Sequence, residues 1–104
     1  MNIYKNMDGT TLKIKLEGRL DTTTAPQLEE ELKEDMKNAD NLEFDFEKLD
    51  YISSAGLRIL LAAQKVMNGK QGNMELKNVN EVVMEVFEIT GFVDILNIAG
   101  TQEK

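Results

Sequence analysis

Apolar and charged residues alternate along Thr11-Leu12-Lys13-Ile14-Lys15-Leu16, which predicts a β-strand with its leucines and isoleucine on one face and its lysines on the other. Asp8-Gly9 separates this stretch from Ile3-Tyr4. Such a dipeptide supplies the positive φ that a tight hairpin needs, so the first two strands are predicted to be antiparallel neighbours. Leu42, Phe44 and Phe46 alternate with Glu43, Asp45 and Glu47 and mark a third strand; Leu49-Asp50-Tyr51-Ile52 carries the chain on to a pair of serines. Met74 and Leu76, with Glu75 and Lys77 facing outward, give a short fourth strand.

Between these strands the period lengthens. Thr24 and Gln27 have the spacing of a capping box, and Pro26 is tolerated in a first turn. A helix is predicted from there to about Lys37, with Leu28, Leu32 and Met36 on its buried stripe and Glu29, Glu30, Glu31 and Glu34 on a solvated face. From Leu57 to Met67 the chain is apolar almost all round, broken mainly by Arg58, Gln64 and Lys65, which predicts a central, largely covered helix ending at Asn68-Gly69. Asn78 and Glu81 have cap spacing for a third helix, carrying Val82, Val83, Val86, Phe87 and Ile89 and closed by Gly91. Phe92, Val93, Ile95, Leu96 and Ile98 form a last apolar element, and the tail from Gly100 to Lys104 is expected to fray. Strands alternating with helices imply right-handed crossovers. The predicted architecture is a single α/β domain over residues 1–104, ordered over about 3–98, with a mixed sheet of four to five strands and helices mainly on one face.

Composition narrows the function. No apolar run approaches the ~20 residues of a membrane span, and residues 1–6 lack the basic-then-apolar pattern of a signal peptide. A soluble, cytoplasmic protein without direct membrane insertion is expected. The net charge of −7 argues against nucleic acid, whose phosphates are bound by clustered Lys and Arg, and favours steering of a partner with a basic rim. The chain has neither histidine nor cysteine and no Gly-x-Ser-x-Gly elbow. A serine nucleophile would therefore lack its usual base, and soft metal ligands are missing. Asp45 and Asp50 are accounted for by an alternating strand. The expectation is a binding protein, not an enzyme, with no metal and no cofactor.

The junction Ser53-Ser54-Ala55-Gly56-Leu57, where an apolar strand gives way to an apolar helix, holds the candidate chemistry. A serine there ordinarily caps the first turn, worth about 1 kcal/mol. Small residues at positions 55 and 56 leave the helix start unshielded, so that a kinase or a partner's backbone can reach Ser54. A phosphate at that point is favoured by free backbone N–H groups and the helix dipole.

With its surroundings, the chain resembles the anti-sigma factor antagonists of bacteria, members of the STAS domain family. Gly18-Arg19-Leu20-Asp21 and the threonine-rich helix start resemble the family's first loop. Phe44-Asp45-Phe46 through Ile52-Ser53-Ser54-Ala55-Gly56-Leu57 is similar to its central strand, phosphorylation loop and helix, and Val83 to Phe92 to its last helix and turn. The resemblance implies that Ser54 is the phosphoacceptor, modified by a partner anti-sigma factor that is a histidine-kinase-like ATPase acting on serine. It further implies that the unphosphorylated form binds this partner and frees the sigma factor, and that a PP2C-type phosphatase restores it. Family members often carry Asp immediately before that serine. This chain has Ser53, which becomes a possible second acceptor. Asp21 matches a family aspartate near the loop, and its other reading is a structural cap or turn. The implied partner surface comprises Asp21, Thr22, Thr23, Ser53, Ala55, Gly56, Leu57 and Arg58. A second reading within the same family is an accessory subunit of an ATP-driven lipid transporter, or a module that senses a nucleotide or small ligand through the N–H groups at residues 54–56.

Overall fold

Alternation and turn chemistry produce the expected strands in a computed structural model of the protein that describes residues 1–101. Strands β1 (Asn2–Asp8) and β2 (Thr11–Leu20) form an antiparallel hairpin that pairs Asp8 with Thr11. Gly9 alone takes the left-handed backbone there, at φ +63°. β3 (Asn41–Ile52) lies parallel to β2, and β4 (Asn73–Lys77) parallel to β3, giving the sheet order β1-β2-β3-β4. Helices α1 (Ala25–Asp35), α2 (Ser54–Gly69) and α3 (Glu81–Thr90) connect these strands or follow them. The four-stranded mixed sheet agrees with the predicted class.

One strand is longer than its pattern suggested. The buried residues of β3 are Leu42, Phe44, Phe46, Leu49 and Ile52, so the two-residue step widens to three after Phe46 and again after Leu49. The register with β2 slips at the same two places, between Lys15 and Glu17 and between Gly18 and Arg19. Each slip inserts one extra β3 residue as a bulge, and the inward face is kept through both. Asp45 supports the first bulge. Its Oδ1 accepts from the Glu47 N–H at 2.9 Å and from the Asn78 side-chain amide at 2.9 Å. The Asp45 carboxylate thus has a structural use.

The core lies between the sheet and the helices. Leu12, Ile14, Leu16 and Leu20 of β2 meet Leu28 and Leu32 of α1, Leu57, Leu60 and Met67 of α2, and Val83 and Phe87 of α3 in one buried cluster. The opposite sheet face stays polar, with Glu43 and Lys77 paired across β3 and β4. Glu31 does not belong to a purely solvated face: with Asp35 it holds Lys5 of β1 at 2.7 Å and 2.6 Å.

Several expectations are corrected. The box of Thr24 and Gln27 does not form. Thr24 sits at the N-cap of α1 with no side-chain cap bond, because its hydroxyl points back to donate to the Arg19 carbonyl at 2.7 Å. The cap of α3 is Asn80, whose side chain accepts from the Val83 N–H at 2.8 Å. Asn78 instead takes a left-handed turn at φ 57°. α2 is covered on one side only, with Ala62, Lys65 and Val66 exposed. Val82 and Ile89 of α3 also face solvent. The last apolar element is a 3-10 turn (Phe92–Asp94) followed by isolated bridges of Ile98 to Leu76 and Thr101 to Val79. Gly100 and Thr101 are therefore bonded rather than frayed; residues 102–104 lie outside the described residues. No helix among the described residues is long and apolar enough to cross a membrane.

Candidate functional site

Parallel pairing of β2 and β3 brings their C-terminal ends out of the sheet side by side. Leu20 pairs with Ile52, and the Ser53 N–H donates to the Leu20 carbonyl at 2.9 Å. The next residues on the two strands, Asp21 and Ser53, therefore begin neighbouring segments at one edge of the molecule, and Ser54 follows as the first residue of α2. The β2–α1 loop and the first turn of α2 form that edge.

Ser53 is the N-cap residue of α2, with extended backbone at φ −100° and ψ 177°; its carbonyl accepts from the Leu57 N–H at 3.0 Å and starts the helix. Ser54 is the first helical residue, and it is exposed. The two serines are not equivalent. The Ser53 hydroxyl oxygen is buried and has no hydrogen-bond partner, so Ser53 as a second acceptor is corrected: its reacting atom is sealed from solvent.

Gly56 and Leu57 are buried, which removes both from the contact surface. Gly56 packs against the side chains of Leu20 and Ile52. Its small size lets the helix start approach the sheet, and does not serve to unshield the serine as the sequence suggested. Leu57 anchors the turn from within. Thr22, Thr23 and Arg58 are exposed, and Ala55 is half-buried.

A shallow groove joins the two segments. Thr22 from the loop, Pro26 and Glu29 from α1, and Ala55, Arg58 and Ile59 from α2 line it. Sequence patterning does not single out Pro26 or Ile59 as site residues, and it places Glu29 in an acidic cluster whose main reading is a solvated face and whose lesser reading is a binding role. The available signal was topological: in parallel β-α-β units, successive helices start from the same end of the sheet.

Asp21 works as a turn. Its Oδ1 accepts from the Thr23 N–H at 3.0 Å and the Thr24 N–H at 3.1 Å, which supplies a side-chain cap at the approach to α1. The Thr24 N–H bond is the main cause that holds its carboxyl below the usual range, with further help from Thr23, the Thr24 hydroxyl and the charge of Arg19. Arg19 lies 3.6 Å from Asp21 and stacks over the Tyr51 ring, 4.4 Å from its centroid. A fixed negative charge thus stands at the loop.

The site is a hydroxyl on a helix start, flanked by a groove that holds one cation and one carboxylate. Such an arrangement accepts a charged group or presents a docking face. Among the described residues no cluster of three or more His, Cys, Asp or Glu has the geometry to hold a metal ion.

The family model of the STAS domain matches residues 2–104. BtrV of Bordetella bronchiseptica, whose name places it among the anti-sigma factor antagonists, is 40% identical over 89 residues, covering 85% of this chain and 77% of that protein. The anti-sigma-B factor antagonist of Bacillus subtilis is 25% identical over 103 residues, covering 99% of this chain and 94% of that protein. Among solved structures, the anti-sigma factor antagonist SpoIIAA in its unphosphorylated form has the same fold, with a TM-score of 0.85 and 21% identity over 98% of this chain and 90% of that one. The phosphorylated form of Bacillus SpoIIAA gives a TM-score of 0.78 at 20% identity, over 98% of this chain and 93% of that one. By its matched length and its sequence relatives, the chain belongs to the STAS domain family.

Proposed function

We propose that the protein is an anti-sigma factor antagonist. In its unphosphorylated form it binds an anti-sigma factor and releases the sigma factor, and phosphorylation of Ser54 switches it off. The anti-sigma factor is an ATPase of the histidine-kinase-like type that acts on serine: the Ser54 hydroxyl takes the γ-phosphoryl group of its ATP, and ADP leaves. A PP2C-type phosphatase returns the chain to its binding form. The observation that carries this reading is the contrast at the junction. Ser54 is exposed on the first residue of α2, while the neighbouring Ser53 hydroxyl is buried.

Charge explains how such a switch acts. Phosphorylation adds about −1.5 to −2 charge and three acceptor oxygens. At a helix N-terminus that charge is compatible with the fold. On a surface already carrying Asp21 and Glu29 it repels and obstructs a docked partner. Binding is lost and the domain stays folded. The contact surface then consists of Asp21, Thr22, Thr23, the half-buried Ser53, Ala55 and Arg58 around Ser54.

The test is incubation with the candidate anti-sigma factor and ATP, followed by mass spectrometry of the peptide that spans both serines. Phosphate on Ser54 is expected. Phosphate elsewhere, or none, contradicts the reading.

A further inference from the structure

We propose that Arg58 is the internal receptor for the phosphate on Ser54, so that modification also withdraws a cation from the docking surface. This rests on Ser54 being the modified residue. Ser54 and Arg58 stand four positions apart on α2, and both are exposed. Residues at that spacing lie on one helix face with Cβ atoms roughly 5–6 Å apart, within reach of an arginine fork and a phosphate. An acidic group placed N-terminal to its basic partner is also the favourable order along a helix.

Arg58 is available for this. Its guanidinium makes no hydrogen bond or ion pair among the described residues. Arg19, the other arginine at this edge, is already engaged by Tyr51 and Asp21. Arg58 shares its groove with Glu29 of α1, and the Asp21 loop leads into the same groove through Thr22. Both carboxylates disfavour a dianion nearby, and the arginine opposes them. In the unphosphorylated chain the free guanidinium is presented to a partner. In the phosphorylated chain it turns to its own helix. The switch then changes the surface twice, by an added dianion and by a neutralised cation.

Phosphoserine installed at position 54 during translation tests this without any kinase. The phosphate is titrated by 31P NMR in the wild type, Arg58→Lys and Arg58→Gln. Because Glu29 and Asp21 act equally in all three proteins, the difference isolates the residue at position 58. The second phosphate ionisation, ordinarily near pH 6, is expected to fall lower in the wild type than in Arg58→Gln by about half a unit or more, with Arg58→Lys between them. Equal midpoints in the wild type and Arg58→Gln overturn the proposal. Failure of a kinase to modify Ser54 would remove the proposed function and leave this pairing result standing, so the two outcomes are separable.

Discussion

Gly56 and Leu20 are in such close contact that a Cβ on the glycine would stand 2.7 Å from the leucine Cγ, with Ile52 Cγ1 at 2.8 Å. This approach sets how deeply the start of α2 sits against the ends of β2 and β3, and hence where Ser54 emerges. Alanine at position 56 gains up to about 1 kcal/mol in helix propensity. Overpacking against fixed neighbours costs about 1–3 kcal/mol. Leu20 and Ile52 are fully buried and have no room to retreat, so overpacking wins. Gly56→Ala is expected to lower stability by about 1–2 kcal/mol, seen as a lower urea midpoint at unchanged slope.

The caps of α2 and α3 predict opposite mutational outcomes. The Ser53 side chain makes no cap bond, and its hydroxyl is buried without a partner. Ser53→Ala therefore removes a desolvated group and should leave the melting temperature unchanged or raise it. Asn80 accepts from the Val83 N–H at 2.8 Å and donates to the Leu49 carbonyl at 2.7 Å, tying α3 to β3. Asn80→Ala should cost about 1–2 kcal/mol. Thermal melts of the two variants side by side check the contrast.

Asp21 makes the β2–α1 loop sensitive to acid. Its folded carboxyl ionises below the ordinary 3.8, chiefly through the Thr24 N–H bond. A depressed carboxyl contributes stability that is complete above its unfolded value and is lost as pH falls through the folded one. The wild type is therefore expected to lose an extra increment of stability below about pH 4. Asp21→Asn should flatten that part of the curve. Unfolding midpoints across pH 2 to 6 measure it, and parallel curves for the two proteins would contradict the assigned turn.

Strand faces, helix order and the serine junction were legible in the sequence because each is written in local periodicity or a short motif. The β3 bulges were harder to read. The spacing of Leu42, Phe44, Phe46, Leu49 and Ile52 records them, yet a strict two-residue rule ends the strand at Phe46. Caps were misassigned where several competent residues lie close together. Whether Thr24 or Asp21, or Asn78 or Asn80, serves a helix depends on where the preceding strand ends. Exposure was the least legible property. Ser53 and Ser54 are neighbours of the same type, and only the turn into α2 buries one hydroxyl and presents the other. Gly56 was read as an opening when it is a packing contact.

The most direct measurement is the affinity of the anti-sigma factor for the chain with and without phosphate on Ser54, by calorimetric titration, with circular dichroism of both forms. The account predicts identical spectra and at least about a tenfold loss of affinity, or 1.4 kcal/mol, on phosphorylation. Equal affinity of the two forms, or loss of binding together with loss of fold, would contradict it.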